Sequence, residues 1–148
     1  MHIEWKKRTF SQNYDFYASG KYTGHMLFKS LPNRALVNLA NQKYLIEISN
    51  SFSPKAQIID LTNKKLFGGI KPYGFMRIKA TILLHKKTFY WKRNNVFQSK
   101  WSIKNEEGQL VMFSSSYKKG ELTIHNQTEE LLLLSGIFLT NRLRQMAF

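Results

Sequence analysis

The sequence predicts an all-β fold, an antiparallel β-barrel of about ten to twelve strands that encloses a hydrophobic C-terminal α-helix. The helix is indicated by the run from Leu131 to Leu139, in which every residue is apolar or small. A helix that is apolar on all sides must be surrounded, either by a protein core or by lipid. The strands are indicated by short segments of alternating apolar and polar residues, separated by turn residues at a spacing of roughly eight to twelve positions.

The helix is predicted over Thr128–Phe148. Thr128 can act as its N-cap, and Glu129 and Glu130 place negative charge in the first turn, where the helix dipole favours it. The apolar run is shorter than the roughly 17–25 residues that a spanning helix needs. We therefore expect the helix in the core of the barrel, with an interfacial helix or an oligomer contact as the alternatives.

About ten strands are predicted before the helix, and residues 1–20 carry no assignment. The strands are Lys21–Leu31, Ala35–Val37, Tyr44–Ile48, Gln57–Leu61, Lys65–Ile70, Phe75–His85, Thr88–Arg93, Val96–Lys104, Leu110–Tyr117 and Leu122–Ile124. No segment of helical periodicity interrupts them, so an antiparallel sheet is expected rather than a parallel sheet with crossover helices. Closure into a barrel would remove the free edges of that sheet.

The composition is that of one ordinary domain, and we expect a single domain over residues 1–148. Cysteine is absent, which excludes disulfides, thiol catalysis and cysteine-ligated metals. The charged N-terminus has no apolar run behind it and does not resemble a signal peptide. We expect no integral membrane segment and a cytoplasmic protein that can associate peripherally with a membrane.

Positive charge is the strongest compositional signal, since 23 Lys and Arg residues stand against 9 Asp and Glu, for a net charge of +14. The excess is concentrated between Asp60 and Glu106, where no acidic residue occurs. The basic residues of that segment are Lys64, Lys65, Lys71, Arg77, Lys79, Lys86, Lys87, Lys92, Arg93, Lys100 and Lys104. Such a segment favours association with anionic lipid or another polyanion.

The predicted anion-binding site lies in this segment and comprises Arg77, Lys79, Phe89, Trp91, Arg93 and Lys100. If residues 94–95 form a two-residue turn, cross-strand pairing places Phe89, Trp91 and Arg93 on the outer face beside Lys100. A three-residue turn reverses the parity and places Trp91 in the core. The sequence leaves both alternatives open.

Enzymatic chemistry is not expected. The four histidines are scattered without metal-ligand spacing, and the acidic pairs at 106–107 and 129–130 are explained by a turn and by a helix start. Phosphate-cradling glycine loops of the P-loop or dinucleotide type are also absent from the sequence. We expect no cofactor and no metal.

Three stretches resemble the tubby C-terminal domain superfamily, which includes the LURP-one-related proteins and the phospholipid scramblases. They are Ile58–Leu66, Trp101–Leu110 and Leu131–Leu143. The resemblance implies a twelve-stranded barrel threaded by a hydrophobic helix, and tubby proteins bind phosphoinositides through basic residues. The cysteine-rich and acidic calcium-binding stretches of the scramblases do not occur here, so scrambling is not implied.

Together these features predict a non-enzymatic module whose basic surface binds anionic phospholipid headgroups at a membrane surface. A nucleic-acid-binding barrel is the first alternative. Such a protein would bind through the phosphate charges and through stacking of its aromatic residues on the bases. A small-molecule lipid carrier is the second, although a helix inside the barrel would leave little room for a ligand. The sequence does not fix the oligomeric state.

Overall fold

A computed structural model describes residues 1–29, 34–48, 55–73, 78–94 and 100–146. It contains twelve strands followed by one helix. The strands are β1 His2–Lys7, β2 Tyr14–Ala18, β3 Lys21–Lys29, β4 Arg34–Leu39, β5 Gln42–Ile48, β6 Ala56–Asp60, β7 Lys65–Tyr73, β8 Lys79–Leu84, β9 Lys87–Arg93, β10 Trp101–Lys104, β11 Leu110–Ser114 and β12 Lys119–Thr123, and the helix is α1 Gln127–Met146.

The strands form one antiparallel meander, in which each strand from β1 to β11 pairs with its neighbours in the sequence. β12 is the exception, because it pairs with β1 instead of β11. The sheet curves into a nearly closed barrel, and the predicted all-β class with its C-terminal helix is confirmed. Closure is incomplete, since β11 and β12 are the two end strands of the sheet.

The helix fills the interior of this barrel. Every residue from Glu130 to Arg142 is buried, and Leu131 to Leu134 are at most 1% exposed. The inward side chains of the strands surround it, which is the protein environment that an apolar helix requires. The hydroxyls of Ser135 and Thr140 donate to carbonyls four residues earlier in the same helix, at 2.7 and 2.8 Å. These two hydroxyls are thus satisfied within the helix itself.

Gly136 sets how closely the helix approaches the sheet. The indole of Trp101 on β10 lies directly against it, and a Cβ at this position would overlap the ring. The absence of a side chain at Gly136 therefore creates the space that a tryptophan on the facing strand fills.

The helix begins differently from the sequence prediction. Asn126, not Thr128, is the N-cap, because its side-chain oxygen accepts a hydrogen bond from the Glu129 backbone N–H at 2.9 Å. Its backbone carbonyl also accepts the Glu130 N–H at 3.2 Å. The prediction of Thr128 as the cap is wrong by two residues, and the predicted negative charge of the first turn is confirmed.

Residues 1–20, which the sequence left unassigned, form β1 and β2. Ile3 and Trp5 on β1 are buried, as are Tyr14 and Phe16 on β2. β1 bonds to β12 near the other end of the chain, so its partner cannot be recognised from neighbouring residues. Short strands that pair at such a distance give little local signal.

Tight turns connect several strands at the end of the barrel where the helix starts. Ala40 and Asn41 both have positive φ, as do His85 and Lys86. Two consecutive residues with positive φ are typical of the type I′ turn, whose twist matches that of the flanking strands. At these positions the hairpin geometry holds non-glycine residues in the left-handed region.

Candidate functional site: a basic face on strands β7 to β10

The structure separates the predicted anion-binding residues into two groups. Lys79 and Lys100 are exposed, as predicted, and Arg77 lies outside the described residues. Phe89, Trp91 and Arg93 are buried, with exposed fractions of 7, 0 and 0%. The outward placement is therefore wrong for these three side chains. Trp91 lies in the core, as the other alternative predicted, but the pairing of Arg93 with Trp101 excludes the three-residue turn of that alternative.

The register of β9 and β10 explains the correction. Trp91 lies opposite Ile103, and Arg93 lies opposite Trp101. The connection between the strands therefore spans residues 94–100 and is much longer than a two-residue turn. Residues directly opposite share a face of the sheet, so Trp91 follows Ile103 into the core.

The reversed parity brings two other β9 residues to the surface, Tyr90 and Lys92. Lys79 lies directly opposite Lys92, and Tyr73 lies on the other side of Lys79. On the next row, Tyr90 lies between Thr81 and Lys104. The outer surface of β7 to β10 thus presents what we call the basic face, which comprises Lys71, Tyr73, Lys79, Tyr90, Lys92, Lys100 and Lys104.

The lysines of the basic face have no acidic partner among the residues that the structure describes. The sequence has no acidic residue between Asp60 and Glu106, and none of the ion pairs among the described residues involves a lysine of this face. Like charges directly opposite one another, as Lys79 and Lys92 are, destabilise a sheet. A bound anion would relieve that repulsion.

Exposed apolar side chains accompany the lysines. Tyr73 and Tyr90 are each 41% exposed. Leu83 on β8 and Phe113 on β11, which flank the face, are about half exposed. The face therefore combines positive charge with aromatic and aliphatic surface, on rigid strands and not on a loop.

The predicted anion-binding site omitted Tyr90 and Lys92, which the sequence could have indicated only through the parity of β9. Both faces of that strand carry aromatic and basic residues, so the sequence does not show which face points into the barrel. The bulky alternation of Phe89 with Trp91 was the available signal. The burial of Arg93 on the same side contradicts what charge alone would indicate.

The histidines behave as expected for solvated or locally bonded side chains. His125 is exposed and lies 2.9 Å from Glu129, the residue that follows the helix cap by one turn. His2 lies 3.0 Å from Glu121 on the neighbouring strand. His2, Glu4 and Glu121 are all exposed, and their ligand atoms lie within 4.8 Å of one another.

A buried pair of a tyrosine and a glutamate lies at the end of the barrel where the helix begins. The Tyr44 hydroxyl donates to Glu130 at 2.7 Å, and both side chains are buried. Desolvation raises the pKa of Glu130, and the hydrogen bond from Tyr44 partly opposes that rise. Burial also raises the pKa of the Tyr44 hydroxyl well above its ordinary value. Because the pair joins β5 to the helix, its geometry is explained by packing.

No protein-family model, curated protein or solved structure matches this chain. The described part of the chain contains no helix with the length and apolar character needed to cross a membrane.

Proposed function

We propose that this protein is a non-enzymatic module that binds anionic phospholipid headgroups through the basic face. The observation that carries the proposal is the row Tyr73–Lys79–Lys92, in which two lysines lie directly opposite each other with an exposed aromatic residue beside them. Each basic residue close to an anionic membrane contributes about 1 kcal/mol, so five lysines would supply up to roughly 5 kcal/mol.

Lipid is favoured over nucleic acid by the chemistry of the exposed residues. Leu83 and Phe113 border the lysines and can enter the boundary between headgroups and acyl chains. An aliphatic side chain such as Leu83 cannot stack on a base, whereas aromatic and arginine side chains can. The cations known to be exposed on this face are lysines, which act as point charges and lack the fork of arginine.

We further propose that the chain is a divergent member of the tubby-like superfamily. Twelve strands around a buried C-terminal helix are the architecture that the resemblance implies. The filled interior argues against a carrier that holds its ligand inside the barrel, because helix residues 130–142 occupy that space. The outer surface is left as the place where a ligand would bind.

Sedimentation with vesicles tests the proposal. We expect the protein to sediment with vesicles made of equal parts phosphatidylserine and phosphatidylcholine, and to remain in solution with phosphatidylcholine alone. Binding should weaken steeply as salt is raised, because surface electrostatics are screened. The variant Lys79→Glu/Lys92→Glu/Lys104→Glu should lose binding at least tenfold. The matched control is Lys21→Glu/Lys29→Glu/Lys43→Glu, which makes the same change in net charge at exposed lysines on β3 and β5.

Equal losses in the two triple variants would show that net charge alone drives binding, and the proposed site would be wrong. A single-stranded oligonucleotide provides the second arm, measured by fluorescence anisotropy across the same salt series. Leu83→Ser should weaken vesicle binding and leave any oligonucleotide binding unchanged. If Leu83→Ser instead weakens oligonucleotide binding and leaves vesicle binding unchanged, the nucleic-acid alternative is favoured.

A further inference from the structure

The barrel is open along one line, which we call the seam, between β11 and β12. These strands follow one another in the chain and are joined by residues 115–118, yet they are the two ends of the sheet. Among the described residues, β11 pairs only with β10, and β12 pairs only with β1. Within the described part of the chain, each of these strands therefore has one edge that no other strand pairs with.

The hydrogen bonds of β12 show which of its backbone groups point into the seam. Met1 and Ile124 exchange both backbone hydrogen bonds, at 2.7 and 2.8 Å, and Lys7 donates to the Lys118 carbonyl at 2.6 Å. Bonded and non-bonded pairs alternate along an antiparallel ladder. The backbone groups of Lys119, Glu121 and Thr123 consequently point away from β1. An edge of this kind is a template for another strand.

A groove of about 790 Å³ follows the seam. Its lining includes Phe113 on β11 and Lys119–Glu121 on β12, and it extends past Trp5 on β1 to Tyr17 on β2. Gly120 makes room for the Trp5 indole, since a Cβ there would overlap the ring. The volume is within the range of roughly 300–1,000 Å³ that ligand sites occupy.

The outer surface beside the groove carries charges in an unusual order. Glu4 lies directly opposite Glu121, and two residues further along Lys6 lies directly opposite Lys119. Each pair brings together like charges, which destabilises a sheet. Neither Lys6 nor Lys119 forms an ion pair with any described residue.

The nearest candidate counter-ions are otherwise engaged. Asp15 lies opposite Lys6 on β2 but is held by Arg8 through bonds of 2.9 and 3.1 Å. His2 lies 3.0 Å from Glu121 and is its only ion-pair neighbour in the described part of the chain. The edge of β12 thus offers an acidic position and, two residues away, a basic one.

We propose that the seam binds an extended peptide segment of a partner protein, added as a strand antiparallel to β12. Residues directly opposite share a face, so the segment would place a basic residue opposite Glu121 and, two positions later, an acidic residue opposite Lys119. The residue between them would face Gly120 and the indole of Trp5, so an apolar side chain is expected there. The recognised pattern is basic, apolar, acidic, read from the N-terminus of the segment.

Fluorescence anisotropy with a labelled synthetic peptide tests the proposal. The probe is a capped peptide with lysine–valine–glutamate at its centre and threonines on both sides, in buffer that contains a chelator. We expect saturable binding to the wild-type protein. A peptide with the central charges exchanged should bind at least tenfold more weakly. N-methylation of the lysine and glutamate amides should abolish binding, since those amides would bond to β12.

Charge exchange in the protein supplies the control for folding. Lys119→Glu/Glu121→Lys keeps the net charge but places opposite charges beside Lys6 and Glu4, so the melting temperature should be equal or higher while peptide affinity falls at least tenfold. Adding Glu4→Lys and Lys6→Glu restores the like-charged rows with reversed sign and should reverse the preference to the charge-exchanged peptide.

Three results would overturn the inference. The first is the absence of saturable binding to the wild-type protein, and the second is equal affinity for the two peptides. The third is a concentration-dependent dimer that the peptide dissociates, which would assign the seam to a second copy of this chain.

Discussion

The two ends of the central helix each bury a charged side chain, but they accommodate it by different means. Glu130, in the first turn, is 7% exposed and accepts one hydrogen bond from Tyr44. Arg142, near the other end, is 4% exposed and donates to the carbonyls of Lys29 and Arg34 at 2.7 and 3.1 Å. Its guanidinium also lies 5.0 Å from the centre of the Phe28 ring.

Both charges have the sign that the helix dipole favours at their positions. Burial acts against both, because it raises the pKa of Glu130 and lowers that of Arg142. A carboxylate can escape the cost by taking up a proton, whereas arginine keeps its charge and must be satisfied by carbonyls and an aromatic face. The charge at the start of the helix therefore depends on pH, whereas the charge near its other end does not.

The largest expected effect lies between the two ends, in the apolar run of the helix. Leu133→Asp places a carboxylate at a site that is completely buried among apolar side chains. The desolvation cost of several kcal/mol is comparable to the total stability of a domain, so we expect an unfolded protein. Circular dichroism during heating measures this, with Leu133→Met as the volume-conserving control. A cooperative melt near the wild-type midpoint would contradict the burial of the helix.

Arg142→Met should cost about 3 kcal/mol, because it leaves the carbonyls of Lys29 and Arg34 without their donor. The loss of the cation over the Phe28 ring adds to that cost. Urea denaturation measures the change. Lys43→Met, on the outer surface of β5, serves as the control and should stay within roughly 0.5 kcal/mol of wild type. An equal effect of the two substitutions would show that Arg142 is not a structural anchor.

Glu130→Gln should stabilise the protein at neutral pH, by less than Arg142→Met destabilises it. The pKa of Glu130 is raised in the folded state, so the folded protein binds the proton more tightly than the unfolded chain. Its contribution to stability is therefore complete below the ordinary value of 4.5 and is lost as pH rises through the raised pKa.

Melting temperatures measured across this range should decline with pH in the wild type and decline less in Glu130→Gln. Tyr44→Phe removes the donor that favours the carboxylate and should make the wild-type decline steeper. Parallel profiles for all three proteins would mean that Glu130 does not titrate in the window that burial implies.

The smallest effect concerns the cap that begins the helix. Asn126→Ala removes the acceptor for the Glu129 N–H and should cost about 1 kcal/mol. Thr128→Ala, two residues away, should change stability by less than about 0.5 kcal/mol. The reverse order in urea denaturation would restore Thr128 as the cap.

The sequence predicted the enclosed helix because nine consecutive apolar or small residues leave no side for solvent. It could not choose the cap, since Asn126 and Thr128 are both residues that cap helices. β1 and β2 were missed because β1 is completed by β12, a partner that local patterns do not reveal. The sequence thus predicted elements whose pattern lies within one continuous segment, such as the helix, and missed those that depend on a distant partner.

The candidate site was predicted at the level of the segment and not of the individual side chain. The exposure of Lys79 and Lys100 was predicted correctly, because the alternation of inward and outward residues along β8 and β10 is regular. Phe89, Trp91 and Arg93 were placed on either face because the length of one connection decides the parity of the whole strand. A single register error reverses every side chain, so the lysine opposite Lys79 was identified only from the structure.

The position of the helix at the centre of the barrel also has a consequence for the order in which the protein is made. The helix Gln127–Met146 follows all twelve strands in the chain, so the ribosome synthesises the central helix after the strands that surround it. Until those residues emerge, the inward side chains of every strand lack the surface against which they pack. A ribosome-bound chain that ends before Leu131 would therefore hold a complete set of strands and no core. Folding of the barrel is expected to await the arrival of its last element.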